Sequence, residues 1–178
     1  MSTSSVSRFA AVAAVAGLAL LGLPTTSDAH AMQPVKVLRN GSYGGKFHNV
    51  ADAPSGTKAI KGTATMVVSA HSTKVTLDAR GLDPKAVYVA HVHKLSCADM
   101  EGGTHFQFDS TGPMAPPNEI WLTPVKVSKS GKGTAKATAK KKVTSDAKSV
   151  VIHLKRAAGS TTDETKPPKL ACADLKRK

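Results

Sequence analysis

The sequence predicts an all-β domain, a sandwich or barrel of antiparallel strands, on three observations. Short β-branched runs alternate apolar with polar residues, Gly, Pro, Asp and Ser punctuate the intervals between them, and almost no stretch carries a helical period. Aromatic residues make up only 4% of the chain, so the core must be built from Val, Leu, Ile and Ala.

Taken in order, the chain opens with Arg8 ahead of the apolar, small-residue run "FAAVAAVAGLALLGL", and "DAHA" closes at Ala31 in the small-x-small pattern of a signal peptidase site. The expectation is a signal peptide over 1–31 and a single β domain over 32–178, exported and without a transmembrane anchor after processing. Strands are expected in "PVKVLRNGS" (34–42), "KGTATMVVSA" (61–70), "STKVTLDARGL" (72–82), "AVYVAHVHK" (86–94), "TPVKVSKSGKGTAKATA" (123–139) and "SVVIHLK" (149–155). In the fifth, Val125 and Val127 point inward and Lys126 outward. "SGKG" then turns the chain, and Ala135, Ala137 and Ala139 alternate with Thr134, Lys136 and Thr138. The lysines of this hairpin read as a solvated face that also discourages edge pairing. Two stretches lack strand character, 97–119 and 156–171. Long structureless connections are uncommon in compact domains and are often functional.

A formal net charge of +13 implies attraction to anions: small anionic substrates, acidic cell-envelope polymers or membrane surfaces. Nucleic acid is poorly supported, because no aromatic set interleaves with the lysines and no helix-turn-helix or zinc-finger spacing occurs. No G-x-S-x-G elbow is present to support hydrolysis. The two cysteines, Cys97 and Cys172, read as one disulfide of an oxidising compartment, worth roughly 4 kcal/mol on the chain-entropy account.

The chemistry-bearing stretch is "HVHKLSC" (91–97). On a strand, His91 and His93 project from one face while Val92 enters the other, a plausible half-site for copper or zinc. His105 follows a Gly-Gly pair in the first long connection. His153 interrupts an apolar strand, where an imidazole is costly unless bonded or ligated. His48 and His71 sit among polar neighbours and read as surface residues, and His30 falls in the expected leader.

"HVH", the nearby Cys97, "GGTHF" (102–106), "VVIHLK" (150–155) and "KLAC" (169–172), in that order, resemble the copper/zinc superoxide dismutase family. The resemblance implies a Greek-key antiparallel β-sandwich with two long loops and a Cys97–Cys172 disulfide. It makes His91, His93, His105 and His153 the copper ligands. The activity implied is conversion of superoxide to oxygen and hydrogen peroxide. Lys169 stands where the family usually has an arginine that guides the anion, keeping the charge without the planar fork. The zinc site is expected to be absent, since no histidine lies between His105 and His153 and Asp109, Glu119 and Asp146 alone would hold zinc poorly. A copper-only relative follows, in which His105 is an ordinary or loosely held ligand and proton delivery falls to solvent or to His105. Two other functions fit the same residues: a copper-storage or delivery protein of the same fold, and a basic β-sandwich that adheres to envelope polymers.

Overall fold

A computed structural model describes residues 36–178, so the leader expected over 1–31, with His30, lies outside the described residues. Eleven strands form two antiparallel sheets, a β-sandwich. They are β1 (Gly41–Lys46), β2 (His48–Asn49), β3 (Lys61–Val68), β4 (Thr73–Arg80), β5 (Val87–His93), β6 (Trp121–Leu122), β7 (Lys126–Val127), β8 (Gly133–Ala139), β9 (Ser149–Arg156), β10 (Lys169–Asp174) and β11 (Lys176–Arg177). One sheet runs β11-β1-β3-β4-β8-β7 and the other β2-β10-β9-β5-β6.

The alternation read from the sequence is the alternation that packs. Ala64, Met66 and Val68 of β3, Val75, Leu77 and Ala79 of β4, and Val150 and Ile152 of β9 meet between the sheets, with Ala135, Ala137 and Ala139 of β8 against them. At 25 cal/mol per Å² of buried apolar surface, each fully buried Val, Leu or Ile contributes about 1.5–3 kcal/mol before entropy is counted. A second, smaller cluster of Val50, Val151 and Cys172 sits apart from that core, and Val151 alternates with the core residues Val150 and Ile152. It therefore lies on the outer face of the five-stranded sheet.

The first strand departs from expectation. Of the described part of that run, residues 36–40 lie outside any strand: Val37 makes a single bridge to Thr144, and β1 begins at Gly41 in "GSYGGK". Glycine weakens a strand by propensity, but a Cβ on Gly44 or Gly45 would run into the carbonyl of Ala64 or of Asp174. Close backbone approach selects glycine here. The second long connection also ends earlier than expected, because Lys169, Leu170 and Ala171 belong to β10, with Leu170 and Ala171 buried.

Candidate metal centre

β5 carries both ends of the sandwich logic at once. Val92 enters the core, while His91 and His93 emerge on the outer face, where the connection 94–120 covers them to 7% and 1% exposure. β9 lies beside β5 with His91 opposite Val151 and Val89 opposite His153, which sets His153 on the same face and one diagonal step away. The fourth imidazole comes from the connection. Lys94 N–H donates to Thr104 O (2.9 Å) and Phe106 N–H to Val92 O (2.8 Å), so His105 bridges to His93. One ligand nitrogen from each of His91, His93, His105 and His153 lies within 4.8 Å of all the others. This group can hold a metal ion.

Hydrogen bonds fix which nitrogens are available. A carbonyl only accepts, so His93 Nδ1–H donates to Gly103 O (3.1 Å) and His153 Nδ1–H donates to Pro167 O (3.0 Å). In neutral rings both Nε2 atoms are then bare, yet they face each other at 3.2 Å. Two lone pairs at that distance repel until a cation sits between them. His105 Nδ1 donates to the Glu119 carboxylate (2.8 Å), leaving its Nε2 free as well. His91 differs: its Nδ1 is buried with no protein partner, an orphaned acceptor that a metal would satisfy. The four residues therefore fit an imidazole-bound metal, through Nδ1 of His91 and Nε2 of the others.

Burial keeps three of the four imidazoles neutral. Burial, followed by the neighbouring imidazoles His105 and His153, lowers the His91 pKa to about 3. Burial and then His153 and His105 lower that of His93 to about 2, against a partial opposing effect of its bond to Gly103. Burial, opposed by the bond to Pro167 and assisted by His105 and Lys169, brings His153 to about 4. Protons thus compete weakly with a metal for these nitrogens near neutral pH. The sign for stability follows. An unfolded histidine takes up its proton near pH 6.5 whereas these folded ones do not, so the unfolded state binds more protons below that pH. The metal-free protein should hold its stability above about pH 6.5 and lose it progressively toward pH 4, as the unfolded chain takes up protons that the three buried imidazoles cannot. A melting temperature of the metal-free form that stays flat from about pH 7 to pH 4.5 would contradict this.

The surroundings lock the ligands from behind. Gly102 sits at φ +90, where a Cβ would meet Ser149 Oγ and Val151 Cγ2 at 2.8 Å and His93 Cβ at 3.3 Å, so glycine lets the loop press onto the back of His93. Lys169, opposite His153 in the β9–β10 register, donates from Nζ to Met100 O (2.9 Å) and Gly103 O (3.0 Å). Gly103 O thereby orients His93 and tethers Lys169 together. Cys97 and Cys172 form the disulfide, with Cα atoms 5.6 Å apart, and Cys97 N–H also donates to Asp174 Oδ1 (2.8 Å). Serine at both cysteines should cost about 2–5 kcal/mol in denaturant unfolding and weaken metal binding, because the start of the Gly102–Gly103 segment loses its anchor to β10. Unchanged metal affinity in the serine variant would restrict the bridge to stability alone.

The structure brings His91, His93, His105 and His153 together, with Lys169 bonded to the segment that carries His105. His48 and His71 are exposed. Asp109 is also exposed, its carboxylate accepting from Thr111 N–H and Oγ1–H, which lower its pKa. Glu119, which the sequence offers only as a poor zinc ligand, has a different place in the structure. Its side chain is 1% exposed, and its Oε2 accepts from His105 Nδ1 and from Trp121 Nε1 (2.6 Å). Trp121, opposite His91 on β6, lies with its ring centroid 5.0 Å from that imidazole. His105 is consequently anchored, which favours the ordinary over the loosely held of the two readings expected for it. The available signal was the alternation in "NEIW", which puts Glu119 and Trp121 on one side and Ile120 on the other, legible only once that segment is known to run beside β5. No family model matches the chain and none of the curated proteins matches it, so the reading of this site rests on its own residues.

Proposed function

We propose that this protein is an exported, copper-dependent superoxide dismutase. The observation that carries it is the buried set of four imidazoles whose metal-facing nitrogens are bare, two of them held 3.2 Å apart, beside the lysine at position 169. The order of the motifs supports the Greek-key superoxide dismutase fold, and the leader-like run with the disulfide supports export to an oxidising compartment. An all-imidazole set suits copper in both oxidation states. Copper, when bound, would supply the redox step, taking an electron from one superoxide and giving it to a second.

The chain's own residues provide the rest. His93 and His153 are held in one tautomer by Gly103 and Pro167, and His105 by Glu119, so the ligand nitrogens need no reorganisation. His105 is the most open of the four, its side chain 30% exposed, so substrate and solvent protons reach the centre along its side. Lys169 spends two of its three N–H donors on carbonyls, which fixes its charge near the ligands and leaves one for an anion. The charge on Lys169 already acts on His153, adding to the fall in its pKa.

Elemental analysis of copper-reconstituted protein, with a superoxide turnover assay on the same sample, tests the proposal. One copper and no stoichiometric zinc per chain, with turnover that falls as salt rises, is the expected result. Copper without turnover would leave storage or delivery as the function, and full zinc occupancy beside copper would end the copper-only reading. Lys169→Glu should depress turnover far more than Lys140→Glu, with copper retained in both, and Lys169→Arg should equal or exceed the native rate because its fork can serve carbonyls and anion together. Equal effects at 169 and 140 would leave no local guidance by Lys169.

A further inference from the structure

The outward face of the six-stranded sheet bears a pattern that the metal centre does not use. Ladder partners share a face, so the register fixes which side chains stand together. Lys74 is opposite Thr138 and Lys136 opposite Thr76, while Lys126 is opposite Thr134. Lys74, Lys136 and Lys126 therefore form one diagonal row across β4, β8 and β7. Lys176 is opposite Gly44, and Lys46 is opposite Thr63. Lys176, Lys46 and Lys61 thus form a second row across β11, β1 and β3, with the same slope, and all six lysines are exposed. Strand spacing and rise put neighbours within a row about 8 Å apart, and the two rows roughly 16 Å from each other.

The trough between the rows is lined by hydroxyls. Thr63, Thr65, Thr76 and Thr134 lie there, with the exposed Arg80 opposite Lys61 and Val67 as an isolated apolar residue. Asp78 is the one acid at outward positions of the described strands in this trough, and it is paired with Lys132 at 2.9 Å. We propose that this face binds a linear carboxylated polysaccharide, with the lysine rows meeting its carboxylates and the threonines its hydroxyls. The lysine stems are long enough to adjust to the charge spacing of the polymer. Base stacking has no aromatic platform on this face, and a lipid surface finds no apolar wedge beyond Val67, so the chemistry favours a glycan over nucleic acid or membrane. The site is independent of the metal centre, which lies on the outer face of the other sheet.

Titration calorimetry with oligogalacturonate as the probe, at about 0.1 M salt, tests it on copper-loaded protein. The triple variant Lys74→Glu/Lys136→Glu/Lys126→Glu should bind at least tenfold more weakly, with copper content unchanged. Lys58→Glu/Lys85→Glu/Lys148→Glu, an equal change in net charge at loop lysines, should stay within about twofold of native. Thr63→Val/Thr76→Val should lose severalfold in affinity while keeping the native salt dependence, since it removes hydroxyls and no charge. Equal losses in the two lysine triples, or tighter binding of oligo-dT or of anionic vesicles than of oligogalacturonate, would overturn the proposal, as would the absence of binding.

Discussion

Replacing both His91 and His93 with alanine is expected to abolish tight copper binding. The pair supplies the orphaned Nδ1 of His91 and one of the two bare Nε2 atoms held 3.2 Å apart, leaving only His105 and His153. Loss of an outer partner alone typically costs 10–100-fold in metal affinity, so loss of two direct ligands should cost at least roughly a thousandfold. The chain should still fold. Both side chains stand on the outer face of the five-stranded sheet, away from the core that Val92 enters, and the metal-free protein is relieved of imidazoles that burial makes hard to protonate. Two melting curves separate the outcomes. Added copper should raise the melting temperature of the native protein by mass action and leave that of the double variant where it was. A double variant that still takes up one tightly held copper would show that the ion sits elsewhere.

The parts of this molecule that were legible in the sequence are those governed by local periodicity. β3, β4 and β8 alternate with period two, and their inward residues could be named from the pattern because the sheet face is a local property, whereas β5 and β9 are buried on both faces. The same rule put His91 and His93 on one face. What escaped was set by contacts between distant segments. β1 hides in a glycine-rich run because the backbones of β3 and β10 crowd it, and no propensity scale rewards glycine for that. β10 begins at Lys169, immediately after two prolines, where burial of Leu170 and Ala171 overrides the loop-like composition upstream. Glu119 looked like a leftover carboxylate of a missing zinc site. Its meaning comes from burial and from two donors, one fourteen residues earlier and one two residues later, and neither can be placed until the connection 94–120 is laid against β5. The hydroxyl trough between the lysine rows is likewise a product of register across six strands.

Glu119 gives the second large effect, and two substitutions divide charge from shape. Glu119→Ala removes the acceptor for both His105 Nδ1–H and Trp121 Nε1–H. A buried donor left without a partner costs about 1–3 kcal/mol, less at the part-exposed His105 where water can replace the acceptor, and His105 is no longer held in the tautomer that frees its Nε2. Copper affinity should fall about 10–100-fold, as it does when an outer-sphere carboxylate is lost. Glu119→Gln keeps an oxygen able to accept from both donors, so His105 and Trp121 should stay in place and the melting temperature of the metal-free form should be close to native. It loses the buried negative charge, which a cation bound at His105 offsets, so its copper affinity should still drop, by less than in the alanine variant. Trp121 is the chain's single tryptophan and lies 5.0 Å from the His91 ring, so quenching of its fluorescence during a copper titration reads the centre directly in all three proteins. Native-like titrations in both variants would mean that Glu119 holds the loop without tuning the metal. A glutamine variant as weak as the alanine variant would mean that the carboxylate acts by charge alone, with the hydrogen bond to His105 carrying none of the effect.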